Sequence, residues 1–287
     1  LNTEEGMVKQ GCRTGWLVGC LLLLVGCTTE LAYNTLPFWI HYYIDDIVNL
    51  RPEQSRQVKA DLDKIQQWHR THELPAIAER LGLIATQSTE RQTMAQLRAH
   101  QDAVKERIRA TLQAFVPATA RLLDSFDNEQ AKALTQWMEE EIEQATQRRA
   151  KRSEDEQFAY QRDDLEEDTE EWVGDTDRHQ QPLFTEMAQY QQAAMPTFRQ
   201  VRERVVSRLF NIINNRQSID TEAALSQWVN DVVAWRAGPG TETEMAIYRS
   251  RRLDWLLRLD RSLDDGQRNR LVESLSEWQT RLSDMSR

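Results

Sequence analysis

Three places in this chain hold side chains that could do chemistry: Cys27, the run His69-Arg70-Thr71-His72-Glu73, and the pair Asp45-Asp46. Cys27 closes the tetrapeptide Leu24-Val25-Gly26-Cys27. It ends an apolar run from Trp16 to Val25 that follows Lys9 and Arg13. A basic start, a short apolar stretch and small residues before a cysteine are the layout of a bacterial lipoprotein signal. In that reading the thiol takes a covalent acyl lipid of the palmitate kind, and Cys27 becomes the new N-terminus. The apolar run falls short of the roughly 20 residues a spanning helix needs. Residues 1–26 are therefore expected to be a signal peptide starting at Met7, and residues 27–287 a single helical envelope domain. Leu17-Val18-Gly19-Cys20 is a second candidate box. Cleavage there would leave a very short apolar core, so Cys27 is preferred.

His69, His72 and Glu73 are residue types that bind metals. On a helix His69 and Glu73 share a face, and His72 lies one step round. A zinc protease site needs two histidines four apart around a glutamate, in one order or the other, and neither order is present. A surface metal site would need a further ligand, such as His41 or His100. The plainer expectation is a helix end with His69 beside Trp68 and Glu73 hydrogen-bonded. Asp45 and Asp46 could serve a hydrolase, since glycosidases use two acids about 5 to 9 Å apart. Adjacent helical residues diverge by about 100°, so the two do not easily share one site. Trp39, Asp45, Asp46, Trp68, His69 and Glu73 together form the candidate polar pocket.

The remaining composition narrows the classes. Cys12, Cys20 and Cys27 are the only cysteines, so cleavage before Cys27 leaves no disulfide, thiolate metal site or cysteine nucleophile. The net charge of −10 belongs to residues 27–287, because the two acids and two bases before them cancel. An acidic surface repels nucleic acid and anionic headgroups. After residue 26 the glycines are Gly82, Gly174, Gly238, Gly240 and Gly266, too few and too scattered for a phosphate-cradling loop. No cofactor is expected beyond the lipid on Cys27.

The elements that must position these residues are helical. Apolar residues recur at steps of three and four, predicting an all-α, multi-helix bundle of long amphipathic helices. Tyr33, Leu36, Ile40, Tyr43, Ile47 and Leu50 mark the first, with Pro37 in its first turn. Tyr33, Phe38, Trp39, Tyr42 and Tyr43 are assigned to that core helix, with Trp39 or Tyr42 reaching the headgroups, and an interfacial belt is the alternative. A second helix starts at Pro52 and ends near Leu74-Pro75, and a short one follows to Ala85. Met94, Leu97, Val104, Ile108 and Phe115 mark another, stopped by Pro117.

From Asp127 the pattern fades into the polar stretch Thr146 to Gln157 and resumes at Phe158. A continuous helix to Trp172 would be about 70 Å long. The polar middle is either a projecting arm around residues 146–170 or a break. Leu183 to Ile212 is the strongest stripe, kinked at Pro196. Helices from Asp220, Thr241 and Asp264 complete the chain, with Gly238-Pro239-Gly240 as the clearest turn. Pro52-Glu53-Gln54, Asn128-Glu129-Gln130 and Asp265-Gly266-Gln267 look alike at their helix starts, read here as well-made caps rather than a repeated module.

Tyr33-Asn34, Trp39, Asp45-Asp46, Pro52-Glu53-Gln54, Trp68-His69 and Glu73-Leu74-Pro75 resemble a family of proteobacterial lipoproteins catalogued only as a domain of unknown function. Arg51 departs from the Ser, Thr or Asp expected before Pro52. The resemblance implies an all-helical envelope lipoprotein and supplies no activity. Thr28 stands where enteric bacteria place Asp to retain a lipoprotein at the inner membrane. The expected location is therefore the inner leaflet of the outer membrane, facing the periplasm, with the inner membrane as alternative. The leading expectation is a non-enzymatic factor, tethered to the membrane by lipid, with an envelope protein partner and no nucleic acid. The alternatives are a hydrolase of an envelope polymer using carboxylates near Asp45 and Glu73, and a binder of an apolar ligand. The acidic stretch Glu154 to Glu171 is a solvated face, or a docking surface for a basic partner.

Overall fold

The computed structural model describes residues 11–235 and 240–287, and side chains from residue 29. The start at Met7, Lys9 and the Gly238-Pro239 part of the turn lie outside them, as do the side chains of Leu24 to Cys27. Ten α-helices account for nearly all of the described residues, and no strand occurs among them. They are α1 (Gly11–Val48), α2 (Pro52–Trp68), α3 (Leu74–Gln87), α4 (Met94–Asp124), α5 (Asn128–Ala150), α6 (Glu154–Val173), α7 (Gln181–Asn215), α8 (Thr221–Ala234), α9 (Glu242–Ser262) and α10 (Asp265–Met285). No described helix is long and apolar enough to cross a membrane.

Local chemistry sets the helix starts. The side chains of Thr93, Asp127, Ser153 and Asp264 accept the N–H three residues on, and Gln96, Gln130, Glu156 and Gln267 reach back. Asp220 caps α8 through Ala223 N–H at 2.9 Å. Each such cap stabilises its helix by about 1 kcal/mol.

Prolines depart from expectation. Pro37 lies inside α1, not in its first turn. It cannot donate to the carbonyl of Tyr33. The Gln66 side-chain amide donates to that carbonyl instead, at 2.6 Å. Pro117 does not stop α4, which runs on to Asp124. Beyond it Ala120 and Leu123 are buried in the main core, and that burial outweighs a local cost of about 3 kcal/mol. The second helix stops short of Leu74-Pro75, at Trp68, and Pro75 stands in the first turn of α3. A π-helical turn, His69–Glu73, joins α2 to α3, with Leu74 N–H donating to the carbonyl of His69. The wider turn carries the chain past the residue that cannot donate.

The first stripe also changes. Ile40, Ile44 and Ile47 pack on the main core, and Val48 and Leu50 belong to it. Phe38, Trp39, Tyr42 and Tyr43 are exposed, which overturns their assignment to the core. Val104 and Ile108 are likewise exposed on α4. The polar stretch is a break: Lys151 and Arg152 turn the chain between α5 and α6, and residues 143–156 form a fully exposed elbow. From there α6 returns to pack on α7 and α10.

Two corners share one construction. At the first, Gln54 and Gln130 exchange side-chain hydrogen bonds, Nε2 to Oε1, at 3.1 and 2.8 Å. At the second, Gln180 and Gln267 do the same at 2.8 and 3.0 Å. Gln54 also donates to the backbone and hydroxyl of Ser125, as Gln180 does to those of Ser262. Gln130 also donates to the carbonyl of Asn49, as Gln267 does to that of Asp175. Packing follows the same plan. α1 lies on α2 and α5 and α2 on α4; α6 lies on α7 and α10 and α7 on α9. The likeness at the helix starts is thus a repeated corner, beyond good capping alone. Contacts of α3 with α10 and of α4 with α8 and α9 join the halves.

Candidate functional site

The polar residues singled out in the sequence fall into three places along the antiparallel α1–α2 pair. The first is a cluster at the π-turn. The imidazole of His69 is half-buried, and its Nδ1 lies 3.1 Å from the Tyr33 hydroxyl. Burial holds the His69 pKa below its ordinary value, although Glu73 opposes this. Burial pushes the Tyr33 phenol up, against Arg70. Neutral imidazole and protonated phenol fit together: Tyr33 O–H donates to Nδ1. The Arg70 guanidinium sits over the Tyr33 ring, 5.3 Å from its centroid, and donates to Asn34 Oδ1. Tyr33 and Asn34 are thus tied to Gln66, His69 and Arg70, which locks α1 to the end of α2 and its π-turn.

Glu73 ends the π-turn and is only 2 % exposed. Its Oε1 lies 3.4 Å from the Arg107 guanidinium of α4, and its Oε2 has no hydrogen-bond partner among the described residues. Arg107 was not anticipated, because nothing in its own segment marks it. The pair comes from helices whose approach depends on the whole core. Trp68 stacks on His72, with ring planes 15° apart. It also lines a shallow open groove with Lys64, Ile65, Ala110 and Ala114.

The second place is the α1–α2 corner. Asp45 Oδ1 accepts the Leu50 N–H at 2.9 Å, closing a turn in which Asn49 takes a left-handed φ of 49°. Asp46 is exposed. Gln54, beside this corner, and Glu73 are nineteen residues apart on the α2 to π-turn path, or about 28 Å at 1.5 Å per residue. The structure thus puts Asp45 and Glu73 at opposite ends of the hairpin and does not gather the six candidates into one pocket. The third place is the outer surface of α1. There Trp39 contacts Phe38, Tyr42 and Tyr43 edge-on or tilted.

His41 and His100, the reserve metal ligands, lie elsewhere. His41 Nε2 is 2.8 Å from Ser55 Oγ. His100 is buried in α4, with neither ring nitrogen hydrogen-bonded among the described residues. Among those residues no group of three or more His, Cys, Asp or Glu side chains is placed to hold a metal ion.

Arg51 serves the first corner from an unusual position. Gln54 accepts its N–H at 2.9 Å, and its guanidinium reaches Asp127 Oδ2 and Gln130 Oε1, both at 2.9 Å. A cation that ties the start of α2 to the start of α5 replaces the expected capping side chain. Sequence reasoning missed Gln180. The signal was there in Asp177 and Gln180, which have the same spacing as Asp127 with Gln130 and Asp264 with Gln267.

These features define an all-helical bundle with two glutamine-clasped corners and a polar lock between its first two helices. The chain belongs to a family of unknown function, DUF6279, which matches residues 46–236. That span takes in the first corner, the π-turn and Gln180, and leaves Gln267 and most of α1 outside it. No curated protein and no solved structure matches the chain.

Proposed function

We propose that this is a lipid-anchored protein of the bacterial cell envelope that acts through protein contacts rather than by catalysis. The observation that carries the anchor is the Leu24-Val25-Gly26-Cys27 box after a basic start and a short apolar run. The acyl lipid on Cys27 holds the chain at the inner leaflet of the outer membrane, as Thr28 favours, with the helical domain facing the periplasm. A triacyl group exceeds what stable attachment requires.

The contact reading is supported by where the candidate carboxylates go. Asp45 closes a turn and Glu73 pairs with Arg107, at opposite ends of a hairpin. That separation removes the motive for a two-carboxylate hydrolase. A contact surface is offered by α6, whose exposed Asp163, Asp164, Glu167, Asp168 and Glu171 suit a basic partner.

The anchor is tested by mass spectrometry of the mature N-terminal peptide. An acylated Cys27 is expected; an unmodified or uncleaved chain overturns the anchor. The contact reading is tested by crosslinking in envelope membranes with Glu167→Lys/Glu171→Lys as control. Loss of a reproducible crosslink in the control is expected. No crosslinked partner with either chain overturns the reading.

A further inference from the structure

The outer face of α1 is an exposed apolar surface a short way along the helix from the proposed anchor. Leu31, Phe38, Trp39, Tyr42 and Tyr43 are each about half exposed or more, from 49 to 63 %. The same helix buries its other side: Ile40, Ile44 and Ile47 pack on the core, and Tyr33 and His41 bond to α2. Amphipathic helices of a globular protein usually turn charge outward. Here no Asp, Glu, Lys or Arg stands between Leu31 and Ile44. The exposed rings lie against one another, Phe38 with Trp39 at 5.3 Å and Tyr42 with Tyr43 at 5.7 Å between centroids.

Continuity identifies what covers this face. α1 is one unbroken helix from Gly11 to Val48. Residues 27, 31, 38 and 42 are separated by steps of four, seven and four, so the Cys27 register position lies on the same helical stripe as Leu31, Phe38 and Tyr42. Phe38 and Tyr42 lie about 16 and 22 Å along the axis from position 27. A lipid at one end of such a stripe brings the rest of it to the surface in which the lipid is embedded. Trp and Tyr, apolar rings with polar tips, favour that depth. The absence of Lys and Arg from this stretch, with Glu30 and Asp46 at its ends, selects zwitterionic headgroups over an anionic surface.

We propose that the outer face of α1 lies along a zwitterionic bilayer surface, so that the chain is held at two points, the acyl group and this aromatic face. The proposal rests on the lipid-anchor reading above. The domain then sits with α1 in the membrane plane and the remaining helices above it.

The test uses the full lipidated chain in phosphatidylethanolamine/phosphatidylcholine vesicles. If Cys27 carries the lipid, a single introduced cysteine can be labelled uniquely with a nitroxide. Tyr42→Cys reports the face, and Glu140→Cys on α5 is the control. Accessibility to oxygen against a water-soluble nickel chelate gives the depth. The Tyr42→Cys label is expected about 5–10 Å below the phosphates, and the Glu140→Cys label in water. Adding Phe38→Ser and Trp39→Ser, both at exposed positions, is expected to return the Tyr42→Cys label to water while circular dichroism is unchanged. A Tyr42→Cys label as water-accessible as the control overturns the proposal and leaves the anchor intact. Spin–spin broadening between chains overturns it in favour of a second copy on this face. An N-terminal peptide without lipid overturns the anchor reading, and this proposal with it.

Discussion

The two clasped corners solve the same problem with different third partners. In both, a glutamine at the start of one helix pairs with a glutamine at the start of another. The second corner is almost all amide and backbone: Asp177 caps, Gln180 and Gln267 pair, and the carbonyls of Ser262 and Asp175 are bonded. The first replaces the capping acid with Arg51, which bonds to Asp127 and Gln130 across the corner. The difference shows that the residue before the helix need not be an acceptor when its own N–H is taken by the glutamine three residues on. The buried amide pair and the carbonyls it occupies define the corner. Each glutamine side chain satisfies two chain segments at once, so its loss strands groups on both.

Removing one glutamine from each corner tests this most directly. Gln130→Leu leaves Gln54 and the carbonyls of Val48 and Asn49 without their amide. Gln267→Leu does the same to Gln180 and Asp175. Each is expected to cost about 2–4 kcal/mol in urea unfolding, from stranded buried polar groups. A cost below about 1 kcal/mol at either corner breaks the equivalence. Coupling comes next. Gln54→Leu with Gln130→Leu removes both ends of one clasp, so the double variant should be less damaging than the sum by about 1–2 kcal/mol. Gln54→Leu with Gln267→Leu should add within about 0.5 kcal/mol. Strong coupling in the second pair would mean that the corners act as one unit.

The third partners should separate by salt. Arg51→Ala is expected to cost about 1 kcal/mol at low ionic strength and less at high, because its partners are partly solvated. Asp177→Ala removes a cap to the N–H groups of His179 and Gln180, costing about 1 kcal/mol with little salt dependence. Equal salt responses would mean that Arg51 acts by packing its stem rather than by charge.

How much of this was legible in the sequence depends on how far apart the partners lie. Helix starts were readable because a cap and its partner are three residues apart, as at Asp127 with Gln130 and Asp264 with Gln267. The places of the prolines were not, because they are decided elsewhere. Pro37 is tolerated through Gln66, Pro75 through a π-turn, and Pro117 through the core beyond it. The aromatics of α1 misled for a related reason: periodicity gives a helix its faces but not which face has a neighbour. At the site, the expected helix end with His69 beside Trp68 is a π-turn in which His69 meets Tyr33 and Trp68 stacks on His72. Arg107, the partner of Glu73, sits on α4, where no local pattern points to it.

Acid should distinguish the halves by the smallest effect. His41, His69 and His100 all lie in the first half, and burial is the leading cause holding each below its ordinary pKa. Facing groups modify this: Lys59 and Asp45 act in opposite directions at His41, Glu73 opposes burial at His69, and Arg80 reinforces it at His100. The unfolded chain takes up these protons near pH 6.5, and the folded chain only at lower pH. Protons therefore favour the unfolded state. The stability at stake is fully present above pH 6.5 and is lost as pH falls from there through the folded values. Hydrogen exchange at pH 5 against pH 7, corrected for intrinsic rates, should show protection falling first in α2 and α4, with α7 and α9 less affected. His100→Gln should reduce the loss in α4, because the glutamine takes up no proton. Uniform loosening of both halves would mean that the carboxylates, spread over the whole chain, set the acid response instead.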